Sequence, residues 1–162
     1  MHLYIVRHAW AYEHGDPRWP DDSKRPLEAD GAERFANVVK LLAARGLAPE
    51  AIATSPYQRC RQTAEIIAAH TPHSPQIAEL ASLTPGSDLV ETIAWSREQN
   101  VDSLCWVGHA PDVGWLTAAL IGDGEGVIRF AKGSVAAIRV HGRIEPGCGE
   151  LQWHVTAKLL GV

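Results

Sequence analysis

The chain has 162 residues, 46% hydrophobic and 21% charged, with a formal net charge of −4 at pH 7. That composition is globular, and the length suits one domain, residues 1–162, with a sizeable core. The weakly acidic balance argues against a nucleic-acid or anionic-membrane partner, and no apolar run approaches the ~18 residues that span a bilayer.

The start, MHLYIVRHAW, has no basic flank and no small-residue cleavage site, so a signal peptide is not expected and the expected location is cytoplasmic. Residues 2–6 (HLYIV) are β-branched and aromatic and stop at Arg7-His8, which predicts a buried strand. Residues 10–30 carry Pro, Asp, Trp and Arg without periodicity and read as a long loop. Its aromatics Trp10, Tyr12 and Trp19 either grip a protein substrate or pack the loop down.

A helix is predicted from about Asp30, with Asp30 and Glu33 as a capping box, Phe35, Val39 and Leu42 on one face, and Gly46 and Pro49 as the stop. Residues 51–54 read as a strand. Ser55-Pro56-Tyr57-Gln58 then reads as the cap of a helix running to about His70. A short strand is expected near Gln76–Leu80, a helix over 88–99 with Leu89 and Ile93 inward, and a buried strand over 103–107.

Gly108-His109 interrupts that strand, and Pro111 opens a helix with Val113, Leu116 and Leu120 on one face. Ser134–Val140 and Glu150–Val155 alternate around a Gly/Pro turn as antiparallel strands. Strands alternating with helices predict a three-layer α/β sandwich, a mostly parallel central sheet with helices on both faces.

In such sheets ligands bind beyond the carboxyl ends of the strands. There the chain places Arg7-His8, then Arg59 in the first turns of a helix, then His109 at another helix start. Arginine forks match phosphate oxygens and stay charged, and helix N-termini favour an anion. An imidazole with an ordinary pKa of ~6.5 and a cationic neighbour is largely neutral at pH 7 and free to attack phosphorus. His8 is the candidate nucleophile; Arg7, Arg59 and His109 are the candidate holders of the phosphoryl group.

Arg7-His8-Ala9 resembles the Arg-His-Gly signature of the histidine phosphatase superfamily, which includes the phosphoglycerate mutases. Ser55-Pro56 with Arg59, Gln62, Thr63 and Ala64 resembles its Ser-Pro-x-x-Arg-x-x-Gln-Thr-Ala segment, and Val107-Gly108-His109 its second-histidine segment. Arg25-Pro26-Leu27 with Gly31, Leu83-Thr84-Pro85 with Asp88, and Gly108-His109-Ala110-Pro111-Asp112 are similar to segments of the SixA-type phosphohistidine phosphatases. Ala9 departs from the signature; at a positive φ it would cost about 1 kcal/mol.

The resemblance implies a metal-independent phosphatase without cofactor that forms a phosphohistidine on His8. Its implied substrate is phosphohistidine on a protein, such as a phosphotransfer domain. A small phosphate ester is the alternative substrate, and a silent phosphate-binding module the alternative class.

Arg25 either binds phosphate or pairs with Asp21, Asp22 or Glu28. Thr84 contacts the ligand or shapes the turn before Pro85. Glu79 and Asp88 are the candidate proton donors, neither in a mutase-like context. A leaving imidazole needs protonation less than an alkoxide does, which favours P–N substrates. The eight histidines show no metal-ligand spacing. Cys60, Cys105 and Cys148 form no CxxC pair and read as reduced thiols, Cys60 as a small buried side chain.

Overall fold

The first strand, β1 (His2–Arg7), buries Leu3 and Ile5 on one side and Tyr4 and Val6 on the other. Because side chains alternate across a strand, such a segment must be covered on both faces. The computed structural model describes residues 1–162 and shows that arrangement. Five further strands follow: β2 (Ala51–Thr54), β3 (Gln76–Glu79), β4 (Ser103–Gly108), β5 (Val135–Val140) and β6 (Gly149–Val155). They form one sheet in the order β3-β2-β4-β1-β5-β6. The first four in that order run parallel, and β5 lies antiparallel to both β1 and β6.

Helices α1 (Ala29–Ala43) and α2 (Gln58–His70) cover the Tyr4 and Val6 face through Phe35, Val39, Leu42, Ala64 and Ile67. Helices α3 (Leu89–Glu98) and α4 (Asp112–Leu120) cover the Leu3 and Ile5 face through Leu89, Ile93, Val113, Leu116 and Leu120. This is the expected three-layer α/β sandwich. No helix is long and apolar enough to cross a membrane.

Two helix starts differ from expectation. α1 begins without a side-chain cap, and the Asp30–Glu33 capping box does not form. Its first turn instead docks on Trp10: Glu28 N donates to Trp10 O at 3.0 Å, and a Cβ at Gly31 would lie 2.6 Å from Trp10 O. α2 begins at Gln58, after Tyr57, so Ser55 is not its cap. The register explains what Ser55 does. Arg7 lies level with Gly108, and Thr54 with Val107. The residues that leave these adjacent strands, His8, Ser55 and His109, therefore emerge together at one sheet edge.

Candidate active site

His8 leaves β1 with its backbone still tied to the sheet, since its N–H donates to Gly108 O at 3.0 Å. Its ring is buried, and Nδ1 lies 2.8 Å from Ala9 O. A carbonyl can only accept, so Nδ1 carries the hydrogen and Nε2 keeps its lone pair. Burial is the main reason that the His8 pKa falls to about 3, with Arg59, His109 and Arg7 pushing the same way. The ring is thus neutral at pH 7, in the tautomer a nucleophile requires.

Ala9 carries no penalty, because its φ is not positive. Its N–H donates to Thr63 Oγ1 at 3.1 Å, and that hydroxyl donates to Arg59 O at 2.7 Å, which locks the turn after His8 to α2.

His109 faces His8 edge-on, with ring centroids 5.4 Å apart. Arg59 Nη2 lies 3.3 Å from His109 Nδ1, and Ser55 Oγ lies 2.9 Å from Nε2. Arginine has no acceptor, so Nδ1 accepts and Nε2–H donates to Ser55. The same hydroxyl accepts from Tyr57 N at 3.4 Å, so Ser55 serves the turn before α2 as well as His109. His109 is also held at a pKa of about 3, by burial first and then by Arg59. Its expected part as a donor to phosphoryl oxygens needs a proton on Nδ1, which this resting geometry does not carry.

Arg59 and Arg25 converge on Asp22, in a short 3-10 turn (Asp22–Lys24) within the long loop. Arg59 donates to Asp22 O at 2.8 Å and to Asp22 Oδ2 at 3.0 Å; Arg25 Nε donates to Asp22 Oδ1 at 2.8 Å. Burial works to raise the Asp22 pKa, but its hydrogen bonds with Arg25 and His14, with the Arg59 charge, win and hold the carboxylate well below its ordinary range. Gln62 pins the same loop, its Oε1 accepting from Leu27 N at 2.8 Å.

Arg7 donates to Phe130 O at 2.8 Å. The Nε groups of Arg7 and Arg59 are buried donors with no acceptor among the protein's own groups. Such a donor costs about 1–3 kcal/mol unless something accepts from it. Three guanidiniums against one carboxylate, with both histidines neutral, leave two positive charges, which suits a phosphoryl dianion.

Four expected site residues, Arg7, His8, Arg59 and His109, thus lie at one edge of the sheet. Arg25 joins them through Asp22, the second of its two open readings. The other three have different partners. Thr84 Oγ1 donates to Ala81 O at 2.7 Å, a turn role. Glu79 is ion-paired with Arg61 at 2.8 Å, half-exposed. Asp88 caps α3, accepting from Val90 N and Glu91 N. Neither carboxylate is thereby presented as an acid to the His8 cluster. Cys60 is buried with its pKa pushed up to about 12, so it is a thiol packed against His109 rather than a nucleophile.

Asp22 and Ser55 are brought to the site by tertiary contacts. The Asp22–Arg25 spacing was the available signal for the first, but nothing local links Asp22 to Arg59, 37 positions away.

A family model of the histidine phosphatase superfamily (branch 1) matches residues 3–83. An uncharacterized protein of Picosynechococcus sp. is 35% identical, the alignment covering 98% of this chain and 93% of that protein. The phosphohistidine phosphatase SixA of Escherichia coli is 28% identical over 96% of this chain and 94% of its own. The structure of a protein histidine phosphatase SixA complexed with tungstate superposes with a TM-score of 0.84 at 26% identity, covering 99% of both chains. With a family match over half its length and relatives aligned nearly end to end, the chain belongs to the histidine phosphatase superfamily, is of the SixA type, and is a phosphatase.

Proposed function

We propose that the protein hydrolyses phosphohistidine on a protein substrate, without a metal, through a phosphohistidine on His8. The observation that carries this reading is the His8 ring itself. Its Nδ1–H is committed to Ala9 O, which leaves Nε2 as a lone pair among guanidiniums that offset the phosphoryl charge.

In the first step His8 Nε2 forms a bond to phosphorus as the substrate's P–N bond breaks, and the substrate ring, already protonated from solvent on its other nitrogen, leaves as neutral imidazole. Water then attacks phosphorus, the bond to His8 breaks, and inorganic phosphate leaves. Arg7 and Arg59 offset charge on the phosphoryl oxygens, and Arg25 acts through Asp22, which it holds beside Arg59. A dianion beside His109 raises that ring's proton affinity, so Nδ1 gains a proton and donates to the phosphoryl group while Nε2–H stays on Ser55.

The P–N substrate is favoured by the carboxylates around the site. Asp22, the one carboxylate in the cluster, is held ionised between Arg25 and Arg59 and has no proton to give. An alkyl ester would need such an acid; an imidazole leaves without one. Similarity to SixA proteins supports the same choice. Metal independence is supported by the cationic lining and by the lack of any group of three His, Cys, Asp or Glu placed to hold an ion.

The test is phosphate release in EDTA from a phosphohistidine-bearing phosphotransfer domain, set beside an alkyl phosphate such as glycerol phosphate. Release from the domain alone is expected. Release from the ester alone would move the substrate to small metabolites, and inhibition by EDTA would overturn metal independence.

A further inference from the structure

Beside the His8 cluster lies a second recess of about 530 Å³, lined by Trp10, Arg34, Arg129, Lys132, Thr156 and Lys158 among others. Its charged lining is entirely cationic, in a chain whose net charge is −4. None of these four cations is paired with an Asp or Glu side chain, although eight ion pairs form elsewhere. Arg34 lies over the Trp10 ring at 4.2 Å and donates to the Val162 main-chain oxygen at 2.7 Å. In this chain that oxygen is part of the terminal carboxyl group and partly offsets Arg34, whereas Arg129, Lys132 and Lys158 have no ion-pair partner.

The recess shares its wall with the catalytic cluster. Trp10 follows His8 by two residues, and Gly133 N donates to His8 O at 3.1 Å. Phe130, between Arg129 and Ala131, supplies the carbonyl that holds Arg7. The Arg129 charge is near enough to lower the pKa of Arg7, after burial has done so. A substrate with its phosphoryl group at His8 therefore has this basic surface directly beside it.

We propose that this recess docks acidic side chains flanking the phosphohistidine of the protein substrate. The inference rests on the phosphohistidine-protein reading and adds to it the charge character of the partner. Unpaired like charges clustered on a surface repel one another, and complementary acidic groups relieve that repulsion while steering encounter. The strand-edge cluster recognises the phosphoryl group; the recess recognises what surrounds it.

The experiment compares wild type with the exposed double variants Arg34→Glu/Lys158→Glu and Arg34→Gln/Lys158→Gln. The substrates are a phosphohistidine domain bearing acidic residues around its histidine, the same domain with those acids changed to amides, and free phosphohistidine. Charge reversal is expected to raise KM for the acidic domain about tenfold at low salt, with the glutamine variant between, and with kcat changed by less than about twofold. The difference shrinks at high salt. Amide substitution in the domain should abolish it.

An unchanged KM for the acidic domain would overturn the proposal. An equal rise in KM for free phosphohistidine would overturn it too, assigning the recess to a small anion instead. If wild type released no phosphate from any phosphohistidine substrate, the underlying reading would fail first, an outcome distinct from these.

Discussion

The His8 ring is held in its Nδ1–H tautomer by the carbonyl of the next residue, a contact only 2.8 Å long and made within the chain's own turn. Replacing His8 by Ala is expected to lower phosphate release by at least ~10³-fold while far-UV circular dichroism stays native. A variant with near wild-type turnover would overturn the nucleophile assignment. Because burial holds the pKa of both His8 and His109 to about 3, neither ring should titrate between pH 5 and 8 in the free protein. Histidine NMR checks this, and tungstate, a phosphate-like oxyanion, should move the His109 titration upward into that range. Arg59→Lys removes a fork that now holds Asp22 through two contacts and has a further donor to offer. A loss of about 10–100-fold in kcat/KM is expected, since an ammonium cannot reproduce two parallel bonds.

At the scale of elements, the site is assembled by close approaches between segments. α4 receives the 121–130 segment at Gly114, where an added Cβ would lie 2.2 Å from Ile128 O. That segment delivers the Phe130 carbonyl to Arg7. Gly114→Ala should therefore shift the segment, lower stability by about 1–3 kcal/mol, and reduce activity more than the lost stability explains. Thermal unfolding beside initial rates separates the two effects; unchanged activity at a reduced Tm would show that Arg7 does not depend on this contact. The long loop is held the same way from the other side, through Gln62 to Leu27 and Arg59 to Asp22.

For the whole molecule, the depressed histidines set the direction of acid sensitivity. Between about pH 6.5 and 3 the unfolded chain protonates His8 and His109, and the folded chain does not. The unfolded state thus binds more protons, and stability falls as pH drops through that window; above it, these two groups add no pH dependence. Asp22 acts in the same sense at lower pH, because its folded pKa is depressed and its contribution is lost on acidification. Denaturant titrations at stepped pH should show a shallower slope in His109→Asn, by about one proton. An unaltered slope would mean that His109 is not held neutral in the folded protein.

What the sequence determined by itself is what depends on local order. Continuous apolar runs set β1 and β4, helical spacing set the buried faces of α1 and α4, and the strand endings placed His8 and His109 at the C-terminal edge of the sheet. Tertiary structure decided where polar side chains spend their hydrogen bonds. Asp30 and Ser55 carry ordinary capping patterns, yet Trp10 docks at one helix start, and the other helix begins three residues after Ser55, whose hydroxyl is shared by His109 and Tyr57 N. Asp88 has a cap's chemistry as much as an acid's, and only the placement of α3 showed which it uses. Asp22 could be paired with Arg25 from spacing, but its bond to Arg59 spans 37 positions. Backbone pattern is written in the periodicity of the chain, whereas a side-chain donor or acceptor is claimed by whatever partner the fold brings nearest.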